Sequence, residues 1–163
     1  MARAFDSAEA RQILEFLERV GIPVAVERLG EDTFLPAMRV RGGALVVDPD
    51  RLEWPGDMLH EAGHIAVTDP ALRPVMDVVE DDPGNEMAAI AWSWAALLEI
   101  GLAPEILFHP HGYRGGAQAM IDNFSQGRDV GVPMLAYYGL TAERHRATES
   151  GMAPYPAMTR WLR

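Results

Sequence analysis

Cysteine is absent from this chain. Its absence excludes disulfides, thiolate metal ligands and a thiol nucleophile. Any metal ion would therefore have to be held by histidine, aspartate and glutamate side chains.

Basic residues are also scarce. The chain has 14 Lys and Arg against 24 Asp and Glu, which gives a formal net charge of −10. Because proteins bind nucleic acids through clustered Lys and Arg that face the phosphates, this balance argues against a nucleic-acid partner. An acidic surface mainly keeps a protein soluble, and it also attracts cationic substrates.

Long hydrophobic runs are missing as well. The longest apolar stretch, residues 87–98, is closed by Glu99 and is shorter than the roughly 20 residues of a membrane helix. The first residues contain no apolar stretch typical of a signal peptide, since acidic residues recur from Asp6 onward. We therefore expect a cytoplasmic protein that does not bind membranes.

The hydrophobic pattern predicts one α+β domain over residues 1–163, with a small, mostly antiparallel sheet ahead of its main helices. Glycine at both positions of Gly42-Gly43 favours a tight hairpin between two of the strands. The predicted strands cover residues 24–26, 34–40 and 44–47. The predicted helices cover residues 7–20, 55–67, 83–99, 116–124, 132–138 and 157–162.

The segment His60-Glu61-Ala62-Gly63-His64 indicates the chemistry. On a helix, side chains four residues apart lie on the same face, so the two imidazoles can bind one zinc ion. The glutamate beside the first histidine can take a proton from water whose pKa the metal lowers to about 7. The small residues between the histidines leave room for another element to approach. An ordinary helix with two partly exposed histidines is the alternative.

A catalytic zinc needs a third protein ligand, and Glu86 is the best candidate. It lies early in the helix that Asp82-Pro83 begins, after a loop long enough to bring that helix back to the first. Glu80, Asp81 and Asp82 are alternative ligands, although Asp before Pro is typical of a helix start. Glu86 itself could instead serve only to complement the helix dipole.

Together, the HExxH segment and Asn85-Glu86 resemble the gluzincins, the thermolysin-like metallopeptidases whose second helix carries Asn-Glu-x-x-Ser-Asp. The resemblance covers about residues 55–98 and implies a minimal zincin fold. It implies that His60, His64 and Glu86 bind Zn²⁺, and that Glu61 activates water to hydrolyse a peptide or protein substrate. Ala89-Ile90 replaces the Ser-Asp pair, so the carboxylate that would orient a histidine ligand is missing there.

A peptidase also needs a donor for the oxyanion that forms as water attacks the carbonyl carbon. The segment 109–114, which is rich in polar aromatic residues, follows the glutamate helix. His111, Tyr113 and His145 are the candidate donors, and their spacing favours none over the others. The alternative for each is a surface loop without such a role.

Two functions fit these residues. The first is a zinc-dependent hydrolase, most simply a peptidase, favoured by Glu61 because a structural zinc site needs no base. The second is a zinc-binding regulatory or interaction domain with little turnover, favoured by the small size and the missing Ser-Asp pair. A metal-free helical scaffold with coincidental histidines is a third possibility.

Overall fold

The computed structural model describes residues 3–33 and 35–163. Within these ranges the chain forms an α+β arrangement of three strands and seven α-helices, with 3-10 turns between some of them. In chain order the elements are α1 (Ala8–Val20), β1 (Val24–Val26), β2 (Met38–Arg41), β3 (Ala44–Val47), α2 (Asp57–Val67), α3 (Pro83–Ile100), α4 (Pro104–Leu107), α5 (Ala117–Ser125), α6 (Val132–Tyr137) and α7 (Ala147–Ser150).

Helix α1 begins and ends where its sequence predicts. The Ser7 side chain accepts a hydrogen bond from the backbone N–H of Ala10, and Gly21 ends the helix in a left-handed conformation. Its apolar stripe is buried, with Ile13, Phe16 and Leu17 in the core. This stripe gives α1 its place beside the sheet and the two central helices.

The sheet has the strand order β1-β3-β2 and is mixed. Strands β2 and β3 are antiparallel across Gly42-Gly43, whose φ values of 57° and 74° suit a tight hairpin turn. Strand β1 pairs with β3 in parallel, so the expectation of a mostly antiparallel sheet is only half right. Hydrophobic alternation reports which face of a strand is buried but not its direction, and the long connection after β1 permits the parallel arrangement.

Strand β2 is shorter than its sequence predicts. It begins at Met38, because Leu35 to Ala37 form a turn in which Ala37 has a φ of 84° and Pro36 offers no backbone donor. Phe34, the first residue of the predicted strand, lies outside the described residues.

Helix α2 lies at the centre of the protein, in contact with β2, β3 and α3. Its apolar residues are buried, including Met58, Leu59 and Ile65. Helix α3 crosses α2 closely at Gly63, where an added Cβ would lie 2.7 Å from the carbonyl oxygen of Ala89. The absence of a side chain at Gly63 thus lets the two helices approach each other.

Helix α3 starts as predicted, with the Asp82 side chain accepting a hydrogen bond from the backbone N–H of Asn85 and with Pro83 at its first position. It ends at Gly101, which is left-handed. Its middle is buried nearly all round, and Trp92 is completely buried. Across the ranges given above, the structure contains no helix long and apolar enough to cross a membrane.

The predicted helix over residues 157–162 is wrong. This segment is irregular backbone with bends, and some of its backbone groups form hydrogen bonds with other elements. The carbonyl of Trp161 accepts a hydrogen bond from Trp92 Nε1 at 2.9 Å, and the N–H of Arg163 donates to the carbonyl of Ala66 at 3.0 Å. Because a helix this short is marginal alone, bonds to α2 and α3 outweigh those within it.

Candidate metal centre

The two histidines of α2 face one carboxylate of α3. Glu86 Oε1 lies 3.3 Å from His60 Nε2, and Glu86 Oε2 lies 2.8 Å from His64 Nε2. The two imidazole rings stand nearly perpendicular, with centroids 5.0 Å apart. Their spacing of four residues places both rings on one face of α2, and the close crossing at Gly63 brings α3 within reach of them.

Glu61 lies beside this pair. One of its carboxylate oxygens and one ring nitrogen of each histidine all lie within 4.8 Å of one another. Glu86 lies closer still to both Nε2 atoms and approaches them from another helix, so we take Glu86 as the third ligand candidate and Glu61 as the neighbouring base. The two carboxylates therefore occupy different positions relative to the histidines.

Burial and charge act on these groups in opposite directions. Burial raises the pKa of Glu61, and the two nearby histidines offset only part of this rise. Hydrogen bonds from His60 and His64 hold the pKa of Glu86 well below its usual range, against the effect of burial. Burial lowers the pKa of His60, but its hydrogen bond to Glu86 and the nearby negative charges outweigh that effect, and the pKa is raised overall.

The site is open on the side of Glu86. The side chain of Glu86 is 45% exposed, whereas that of His64 is 6% exposed. The histidines are therefore held by the core, and the carboxylate of α3 lies between them and solvent. A ligand of an ion bound by the histidines could therefore approach from the Glu86 side without passing through the core.

The loop acids are placed differently from Glu86. Asp82 caps α3 through its side chain. Glu80 and Asp81 are exposed, and within the described part of the chain neither forms an ion pair with His60 or His64. The geometry thus favours Glu86 over these three alternatives.

Of the three candidate oxyanion donors, the structure brings Tyr113 to the site. Its hydroxyl lies 3.5 Å from Nδ1 of His60, on the opposite edge of the ring from Nε2. His111 stacks on Trp54 with ring centroids 5.5 Å apart. His145 is exposed in the 3-10 turn Arg144–Arg146, and among the described residues it forms no ion pair or hydrogen bond with His60, His64 or Glu86.

Sequence reasoning gave no specific role to two residues near the site, His109 and Asp57. His109 is buried, and its Nε2 lies 2.7 Å from Asp57 Oδ1 at the first residue of α2. Its ring stacks flat on Trp54, with centroids 4.5 Å apart and an angle of 7°. The cluster around His109 was visible in the sequence, but its partner lies too far along the chain for any spacing rule to identify.

Asn85, the first residue of the Asn-Glu pair, also has a distant partner. The hydroxyl of Tyr138 donates a hydrogen bond to Asn85 Oδ1 at 2.7 Å. The ring of Tyr138 in turn lies under the guanidinium of Arg163, 4.0 Å from its centroid. The residue before Glu86 is thereby tied to α6 and to the tail.

No protein family, curated protein or solved structure matches this chain. The likeness to the gluzincins consequently depends on the two motifs alone.

We expect Gly63→Ala to damage the site without touching a ligand. The new methyl group would lie 2.7 Å from the carbonyl oxygen of Ala89 and 3.2 Å from its Cα, so α3 must move away from α2. Overpacking of this kind costs about 1–3 kcal/mol, and the shift would draw Glu86 away from the histidines. Thermal unfolding and zinc titration should both show the loss.

The matched control is Gly30→Ala. Gly30 is exposed, and an added Cβ there would meet nothing within 4 Å. If Gly63→Ala and Gly30→Ala had the same unfolding temperature and zinc affinity, the close approach of the helices at Gly63 would not be what positions Glu86.

Proposed function

We propose that this protein is a zinc-dependent hydrolase, specifically a small metallopeptidase of the zincin type. The observation that carries the proposal is the approach of the Glu86 carboxylate to the Nε2 atoms of both His60 and His64, with Glu61 next to them. We further propose that it acts in the cytoplasm on a peptide or protein substrate.

The residues present fit a zinc ion. Two imidazoles and one carboxylate form a common ligand set of catalytic zinc, and bonds of about 2.0–2.1 Å in a tetrahedron place ligand atoms about 3.3 Å apart. The distance of 3.3 Å between His60 Nε2 and Glu86 Oε1 already has this value. The contact of 2.8 Å at His64 is made by the other carboxylate oxygen, Oε2, so zinc binding would require the Glu86 carboxylate to shift.

Each residue then has a defined part in hydrolysis. Zinc held by His60, His64 and Glu86 would act as a Lewis acid and lower the pKa of a water molecule toward about 7. Glu61 takes the proton from the attacking water and passes it to the leaving amine. Glu61 is buried beside the two histidines, and in the metal-free chain burial raises its pKa. A carboxylate within reach of the attacking water is the group that a general base requires.

The first test is metal content together with cleavage of a peptide library. We expect about one zinc per chain in protein purified without chelator, since three ligands at one site bind one ion. We also expect that chelation abolishes cleavage and that added zinc restores it. A metal content near zero would contradict both the site and the activity.

One observation favours a second function, a zinc-binding regulatory or interaction domain with little turnover. The Tyr113 hydroxyl faces Nδ1 rather than Nε2 of His60, and His111 and His145 make other contacts or none at the site. An oxyanion donor is worth about 100- to 1000-fold in kcat, so a site without one turns over slowly. Stoichiometric zinc without cleavage of any library peptide would support this function over the first.

A further inference from the structure

We propose that the loop from Phe108 to Arg114 is a positioning device for His60, in which Tyr113 holds the Nδ1 edge of the imidazole and the His109–Asp57 pair holds Tyr113. The proposal rests on the proposed zinc site. It assigns Tyr113 a different role from that of an oxyanion donor, and it gives functions to His109 and Asp57 that the hydrolysis scheme does not use.

The loop is anchored to the start of α2. Asp57 is the first residue of that helix and lies one turn before His60. Its Oδ1 is 2.7 Å from His109 Nε2. The ring of Trp54 stacks flat on the His109 ring and fixes its plane. The loop is therefore joined to the helix that carries the two histidine ligands.

The burial of His109 destabilises the fold in a way that packing alone does not explain. His109 is 4% exposed, and its Nδ1 has no hydrogen-bond partner among residues 3–33 and 35–163. A buried polar atom without a partner destabilises a fold, and an apolar ring would fill the same space without that penalty. A histidine here makes sense if its bond to Asp57 serves the neighbouring site.

The anchor is followed by a strained turn. The N–H of Gly112 donates to the carbonyl of His109 at 3.1 Å, and an added Cβ on Gly112 would lie 3.1 Å from the His109 ring. The next two residues, Tyr113 and Arg114, have φ values of 54° and 52°. Two successive non-glycine residues with left-handed backbone conformations persist only where the surrounding structure enforces them. Such backbone strain clusters at functional sites.

With this backbone conformation, the Tyr113 ring lies on the inner side of the loop, against Phe108 and His60. The ring packs edge-on against Phe108, with centroids 4.9 Å apart, and against His60, with centroids 5.7 Å apart. Its hydroxyl then lies 3.5 Å from His60 Nδ1, at the long end of a hydrogen bond. A phenol oxygen there can accept a hydrogen bond from Nδ1–H, which leaves the lone pair of Nε2 free for the metal.

Tyr113 replaces the hydrogen-bond partner of a histidine ligand that the missing Ser-Asp pair would supply. Metal-binding histidines almost always donate their second ring N–H to a fixed partner, which sets both tautomer and orientation. Ala89 and Ile90 are buried and apolar, so α3 offers no carboxylate for this purpose at those positions. Tyr113 offers the partner from a loop instead.

The test compares Tyr113→Phe with Tyr137→Phe. Phenylalanine keeps the ring packing at position 113 and removes only the hydroxyl, while Tyr137 is 82% exposed and serves as the matched control. We expect Tyr113→Phe to raise the zinc dissociation constant about 10- to 100-fold in a chelator competition. Tyr137→Phe should match wild type both in zinc affinity and in kcat at saturating zinc.

The outcomes separate the possibilities. A fall in kcat at saturating zinc with unchanged zinc affinity would overturn the proposal and make Tyr113 an oxyanion donor. Unchanged affinity and unchanged kcat would overturn it too, while leaving the zinc site intact. If wild type binds no zinc, the proposed function fails first and this inference fails with it.

Two further measurements do not depend on Tyr113→Phe folding. In zinc-bound wild type, nitrogen-15 spectra should show His60 protonated at Nδ1, with slower proton exchange than in exposed His111. Equal exchange rates would contradict the hydrogen bond. His109→Phe keeps the stack on Trp54 but loses the bond to Asp57, so it should weaken zinc binding. His109→Gln can still donate a hydrogen bond to Asp57 and should bind zinc more tightly than His109→Phe. Equal zinc affinities of these two variants would contradict the role of the bond to Asp57.

Discussion

Glu61→Gln is expected to keep one zinc per chain and to lose peptide hydrolysis by about 100- to 10,000-fold, the range that general-base catalysis contributes. Glutamine has nearly the same shape and keeps hydrogen-bonding capacity, but it cannot take a proton from water. Glu61 lies beside the histidines, whereas Glu86 makes the close contacts with both Nε2 atoms. Zinc content and kcat should therefore respond independently to this change.

The same variant makes a prediction about stability. Because burial raises the pKa of Glu61, ionising this group costs free energy in the folded chain at any pH above its ordinary value. Glutamine removes that cost, so metal-free Glu61→Gln should unfold at a temperature equal to or above that of wild type at pH 7. A group kept only for packing would show no such trade between stability and activity.

The control for Glu61→Gln is Glu15→Gln, the same chemical change on the exposed side of α1. It should leave zinc content, kcat and the unfolding temperature as they are in wild type. If Glu61→Gln lost its zinc, Glu61 would be a ligand rather than a base, and the division of labour between the two carboxylates would be wrong.

How far the sequence predicts this molecule depends on how local each determinant is. Helix starts and tight turns are set by a few neighbouring residues, so the start of α1, Asp82-Pro83 and Gly42-Gly43 all have the predicted structure. The HExxH spacing likewise places the two histidines on one helix face, because helical geometry alone determines it.

Features that depend on distant partners could not be predicted in this way. The parallel direction of β1 depends on the path of the connection after it, and the tail is not helical because its backbone bonds to Trp92 and Ala66. The contact between His109 and Asp57 joins residues that no periodicity relates. The position of Glu86 early in the second helix, together with the resemblance, predicts it as a ligand, and the structure places it beside both histidines although the Ser-Asp pair is missing.

Glu86→Ala is expected to weaken zinc binding by more than about 100-fold, beyond the range that loss of an outer hydrogen-bond partner produces. The reason is that two imidazoles alone do not make a stable catalytic zinc site. The fold should survive, since α3 is held by its cap at Asp82 and by the close contact between Gly63 and Ala89. Zinc titration of the purified variant measures the loss directly.

Thermal unfolding gives a second readout and a matched control. Zinc at 100 times its dissociation constant should stabilise wild type by about 2.7 kcal/mol, and the same zinc concentration should add little to Glu86→Ala. Asp81→Ala removes an exposed acid of the preceding loop and should keep the full stabilisation. Equal losses in the two variants would contradict Glu86 as the specific third ligand, and loss in Asp81→Ala alone would mean that the loop supplies it. Loss in Glu86→Ala alone would support the site in which Glu86 completes the pair His60 and His64.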